Sequence, residues 1–163
     1  MLEHLAEVEA VLPELLQDVS GWRSLDIDYH PPRVQRLYRP WRDLRLNLHR
    51  IWPCEDHEAL FHPHPWPSAV KVVSGTYRMA IGYGAGTTTP PVMATMLLRA
   101  GSSYAMTDRD AWHDVRPLGA PSLSIMLTGA PWDRPAPVTP SRPLRPMSEA
   151  DIAELLAAFR AAG

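Results

Sequence analysis

The stretch 62-HPHPWPSAVKVVSGTYRMAIGY-83 sets the reading of the whole chain. Its first three residues are His-Pro-His. In an extended segment the side chains at i and i+2 point the same way, so two imidazoles could chelate one ion. Pro63 and Pro65 leave a second reading open. A rigid surface loop would hold the histidines idle, and a polyproline-like backbone with three residues per turn would separate them. Behind this segment, 69-AVKVVS-74 and 76-TYRMAIGY-83 read as two β-strands joined by a tight turn at Ser74-Gly75.

Working outward, the strand pattern continues on both sides. In 43-DLRLNLHRI-51 leucines alternate with Arg45, Asn47 and His49, the signature of a half-buried strand. On the other side 92-VMATMLL-98, 102-SSYAM-106, 112-WHDVRP-117 and 122-SLSIMLT-128 are short apolar runs at near-regular spacing. Eighteen prolines and nine glycines in 163 residues favour turns over long helices. The expectation is an all-β body over 27–130 within a single domain spanning 1–163. A helix is expected at each end. Leu2, Leu5, Val8, Leu12, Leu15 and Leu16 recur at helical spacing in 1–20, where Pro13 should bend or break the helix. Ser148, with Asp151 three residues on, resembles a capping box opening a helix over 148–161. The proline-rich 131–147 should run as an extended strap between barrel and helix.

Composition narrows the function classes. The net charge is −2 with both signs scattered, which gives no electrostatic grip on nucleic acid or an anionic membrane. Cys54 is the single cysteine, so no intrachain disulfide framework exists, and a reducing cytoplasmic setting is expected. The acidic N-terminal segment is no signal peptide, and no apolar run is long enough to cross a bilayer. The Gly-rich 82-GYGAG-86 lacks the Lys-Ser/Thr and the following helix of a phosphate-binding loop.

A third metal ligand must come from elsewhere, and 112-WHDV-115 offers His113. Together these features resemble the cupin superfamily. The first cupin motif has a His-x-His pair, a glutamate about four residues on, and a glycine seven after that. His62 and His64 match the pair and Gly75 the glycine; Gly101 and His113 approximate the second motif. The resemblance covers 43–128 and implies a cupin-type β-barrel (a double-stranded β-helix, or jelly roll) with the two terminal helices outside it. It departs at Ser68, where the family carries glutamate. A three-histidine set without the carboxylate is similar to that of the thiol dioxygenases related to cysteine dioxygenase.

What the resemblance implies is a metal-dependent enzyme with His62, His64 and His113 as ligands. Fe(II) is favoured, with Zn(II), Ni(II) and Mn(II) as alternatives, because imidazole suits all of them. A neutral ligand set leaves the ion its full charge, which favours an anionic substrate. The expected activity is an Fe(II) dioxygenase acting with O2 on a small thiol or anion. Two other classes remain: a non-redox isomerase, lyase or hydrolase, and a small-molecule binding or sensing barrel without catalysis. Arg45, if it faces inward beside Asn47 and His49, could anchor a substrate carboxylate. Tyr104 is the expected hydroxyl near the metal, as in the thiol dioxygenase pattern. Glu58 and His57 could reach the metal if the chain bends there, but read more readily as a solvated turn in 53-PCEDHE-58. Tyr77, Met79, Ile81 and Tyr83 share one face, and Met93, Thr95 and Leu97 another; both rows read as core and pocket lining. Trp66 and Trp112 flank the ligand candidates and could wall the site against water, although aromatic packing alone would also explain them. A homodimer is expected from the habits of the family alone.

Overall fold

The computed structural model describes residues 1–133 and 140–162. Its elements in chain order are α1 (Leu2–Leu15), β1 (Arg23–Ile27), β2 (Val34–Trp41), β3 (Leu44–Ile51) and β4 (His62–Pro63). There follow β5 (Ser68–Ser74), β6 (Thr76–Tyr83), β7 (Ala94–Arg99), β8 (Ser103–Met106), β9 (Ala111–Pro117), β10 (Ser122–Thr128) and α2 (Glu149–Ala162). All strand pairs are antiparallel. They form a six-stranded sheet in the order β1-β2-β3-β10-β5-β8 and a four-stranded sheet in the order β4-β9-β6-β7. This is the expected cupin-type barrel with a helix at either end. Among the described residues no helix is long and apolar enough to cross a membrane.

The alternation of side chains divides the molecule into two apolar layers. On the six-stranded sheet Leu37, Leu48 and Ile125 are directly paired across β2, β3 and β10 and point outward. They meet Leu5, Val8 and Leu12 of α1 and Leu155, Leu156 and Phe159 of α2 in one cluster. The helices therefore cover the outside of the barrel and leave its interior to the opposite faces of the same strands. Inside, Val72, Tyr77 and Met79 form a second, smaller cluster. Pro13 falls in the last turn of α1, where it forgoes its N–H bond to the preceding turn, yet the helix runs on to Leu15 without a break. Ser148 caps α2: its Oγ accepts from the Asp151 backbone N–H at 3.1 Å and donates to the Asp151 carboxylate at 2.7 Å.

The turn glycine of the opening stretch is required by geometry. Gly75 has φ +84°, and a Cβ there would lie 3.0 Å from the Ser122 Cα, so a side chain would meet both strain and backbone. Of the proline-rich strap, 134–139 lie outside the described residues. The part that follows is tied to β1 by an Asp26–Arg145 bridge and by the Met147 backbone N–H donating to Ser24 Oγ.

Two strand expectations need correction. The first is at 92–98, where Met93, Thr95 and Leu97 do not line the interior. Met93 is 68% exposed and Leu97 56% exposed. The register Met79–Met96 and Tyr77–Leu98 turns the other face of β7 inward. Apolar residues on both faces of this edge strand conceal which one is buried. The second concerns β1 and β2, which the strand pattern misses. In 34-VQRLYRPW-41, Val34, Leu37, Tyr38 and Trp41 fall at helical intervals, because Leu37 meets the helices while Tyr38 faces the interior.

Candidate metal centre

His62 and His113 are a directly opposed pair on β4 and β9, and His64 follows where β4 ends. The short β4 resolves the proline question. Pro63 is paired only on the β9 side of an edge strand, so the missing N–H does not interrupt a sheet interior. One nitrogen from each of His62, His64 and His113 lies within 4.8 Å of the other two. The ring centroids are 5.3 Å apart for His62–His64, 5.1 Å for His62–His113 and 4.6 Å for His64–His113.

Two of the three nitrogens facing away from this centre are held from behind. His62 Nδ1 donates to the Leu60 carbonyl at 2.8 Å, which fixes the tautomer and leaves the Nε2 lone pair free. His64 Nδ1 lies 3.3 Å from Ser68 Oγ. Ser68, standing where cupins place glutamate, thus sits behind a histidine. His113 Nδ1 is buried without a hydrogen-bond partner. Burial pushes the His62 pKa down to about 4 and holds His64 and His113 well below the ordinary histidine range, so all three rings are neutral near pH 7. His64 Nε2 and His113 Nε2 stand 3.0 Å apart. With both Nδ1 positions protonated, two lone pairs face each other at that distance, an arrangement that a shared cation relieves. The donor set therefore fits a divalent ion of borderline softness.

The wall opposite the histidines comes from β2 and β3. Arg36 Nε donates to His49 Nε2 at 2.9 Å, the two residues being a direct cross-strand pair. Burial, then the nearby Arg45 charge, draws the Arg36 pKa down to about 10, and it remains a cation at neutral pH. Its field reaches His62 and His64, lowering both further. His30 adds a ring 6.2 Å from His62, with Tyr29 stacked edge-on against it at 4.4 Å. Asn47 also faces inward, but its amide nitrogen is engaged by the Arg45 and Met126 carbonyls.

Of the other expected residues, Tyr104 has its ring 6.4 Å from that of His113, and burial pushes its pKa up to about 12. Tyr77 Oη donates to Tyr104 Oη at 3.3 Å, which frees the Tyr104 proton to point elsewhere. Arg45 is exposed at the barrel mouth, its guanidinium 5.4 Å from the centre of the Tyr38 ring. Trp66 lies 5.9 Å from His64, whereas Trp112 packs on Phe61 at 6.0 Å and donates to the Gly84 carbonyl. His57 and Glu58 stay in an exposed turn, where Glu58 Oε2 accepts from the Glu55 N–H. Cys54 is half-buried, and burial pushes its thiol up. The residues that sequence reasoning missed are Arg36, His30 and Tyr29. All belong to 28-DYHPPRVQR-36, which lies outside the motif-bearing region, and only its concentration of polar aromatics and arginines hinted at them.

No protein-family model matches the chain, and no curated protein does. Solved structures that are similar in part include hydroxypropylphosphonic acid epoxidase from S. wedmorenis, at 18% identity and a TM-score of 0.49, over 65% of this chain and 55% of the epoxidase. KdgF from Halomonas sp. is similar at 18% identity and a TM-score of 0.49, over 69% of this chain and 87% of that one. Streptomyces albus HEPD, solved with 2-hydroxyethylphosphonate and Fe(II), is similar at 11% identity and a TM-score of 0.47, over 63% of this chain and 22% of that one. The chain spans about half the length of the epoxidase.

Proposed function

We propose that this chain is a metal-dependent enzyme, an Fe(II) dioxygenase of a small anionic substrate, with His62, His64 and His113 as the ligands. The observation that carries the reading is the convergence of three neutral imidazoles with a half-buried arginine facing them across the barrel. When bound, an Fe(II) ion supplies one-electron redox chemistry and Lewis acidity.

The chain's own residues do the rest. The Leu60 carbonyl and Ser68 orient two of the rings, so the donor geometry exists before any ligand arrives. Arg36 spends its Nε–H on His49 and keeps its terminal N–H groups for a carboxylate, sulfonate or phosphonate. His49 is held well below its ordinary pKa by burial and by the Arg36 charge; a neutral ring accepting from Arg36 fixes the direction of the guanidinium without competing for the substrate's charge. Tyr104 has its hydroxyl proton free to donate towards the reacting centre, because Tyr77 supplies the other hydrogen bond. Thiol-bearing acids belong among the substrates to be screened, since the same arginine would hold their carboxylate.

The test is oxygen uptake by Fe(II)-loaded protein across a panel of small carboxylates, phosphonates and mercapto acids, beside Arg36→Met. A charge-assisted pair is worth roughly 1.5–3 kcal/mol, so Arg36→Met should raise KM by about 10- to 100-fold while the bound metal stays. Turnover that proceeds without oxygen, or with zinc in place of iron, would replace the oxygenase with Lewis-acid chemistry. An unchanged KM would remove Arg36 from the substrate.

A further inference from the structure

A cavity of about 410 Å³ opens at the mouth of the barrel. Arg23, Tyr38, Asp43, Arg45, Trp66 and Thr128 line it. The sheet register explains the assembly. Arg23 pairs directly with Tyr38, Tyr38 with Asn47, and Pro40 with Arg45, so inward positions of three neighbouring strands rise in step towards the opening. Arg36, Tyr38 and Pro40 alternate along β2, which places Arg36 four residues deeper than the Arg45 row, on the order of 13 Å along the strand. Trp66, in the cavity wall, has its ring 5.9 Å from that of His64.

We propose that this outer cavity binds the distal anionic group of an elongated substrate whose other end reaches the histidines. The proposal deepens the function argued above and relies on it only for the identity of the inner end. Arg45 lies over the Tyr38 ring rather than against a carboxylate, and neither it nor Arg23 is ion-paired among the described residues. Two unneutralised guanidinium groups against the single carboxylate of Asp43 leave the cavity cationic. The Trp66 indole N–H is buried without a partner, a donor with no acceptor among the described residues. Apolar walls from Pro40, Leu44 and Pro131 suit a hydrocarbon or aromatic spacer rather than a polyhydroxylated one. A dianion long enough to span the step from Arg36 to Arg45 satisfies both ends, whereas a monoanion leaves one end unpaired.

The experiment is calorimetric titration of the whole chain with octanoate, suberate and 8-phosphonooctanoate, in wild type, Arg23→Met/Arg45→Met and His62→Ala/His64→Ala. The second anionic group should tighten binding by about 10-fold or more in wild type, as expected for a charge-assisted contact. In Arg23→Met/Arg45→Met the preference should shrink to within about twofold while octanoate affinity is kept, which also shows that the variant is folded. Arg23→Lys/Arg45→Lys should retain it in part. The preference should survive in His62→Ala/His64→Ala, so failure of the metal reading and failure of this one are separable. A stronger phosphonate assigns the head group to the phosphate class, a stronger suberate to the carboxylates. Equal binding of octanoate and both dianions, or a preference indifferent to the two arginines, would overturn the proposal.

Discussion

His113→Ala is expected to weaken metal binding by more than about 100-fold, because losing a residue that only supports a ligand already costs roughly 10- to 100-fold. His113 is 3% exposed and sits in the middle of β9, where it opposes His62 on one side and Ile81 on the other. No other histidine, cysteine or acid among the described residues joins the group, so nothing takes its place. The same change removes a buried Nδ1 that has no partner, so the fold should tolerate it. Competition against a chromophoric chelator, with circular dichroism as the check on folding, reads the two effects apart. Affinity within about threefold of wild type would mean that His62 and His64 bind by themselves, and the three-histidine account would fail.

Leu48→Ala should act in the opposite way. Leu48 is fully buried, pairs with Leu37 and Ile125, and meets the layer where α1 and α2 cover the six-stranded sheet. Truncating it leaves a cavity in a packed core, at a cost of about 3–5 kcal/mol, or roughly 10 °C in Tm for a domain of this size. The next residue, His49, points into the barrel and holds Arg36. A thermal melt and a metal titration on the same variant should therefore show a large loss of stability with metal affinity almost unchanged. Equal losses in both would show that the outer core and the site are not independent layers.

How much of this was legible in the sequence depended on whether one face of a segment carries one kind of residue. In β3 leucine alternates with polar residues, so strand and faces were both readable, and Asn47 and His49 do point inward. The His-Pro-His segment was readable as a pair, and Gly75 fixed the turn behind it, because only glycine fits φ +84° against the Ser122 backbone. β2 was hidden because apolar residues serve both faces: Leu37 meets the helices while Tyr38 lines the outer cavity. With β2 went Arg36, the cation opposite the histidines, and attention fell instead on Arg45, which the structure places at the mouth. β7 failed for the same reason, since a strand apolar on both sides does not announce its register. Trp112 illustrates the cost of reading neighbours as companions: adjacent strand residues face opposite ways, so Trp112 turns from the centre that His113 enters.

The central claim is the metal. Its most direct test is elemental analysis of the purified protein, wild type beside His62→Ala/His64→Ala, as isolated and after anaerobic reconstitution with Fe(II). Close to one equivalent of iron in the wild type and almost none in the double variant is the predicted result. No bound metal in either protein after reconstitution, or equal metal in both, would contradict the account and leave a barrel that binds small molecules without one.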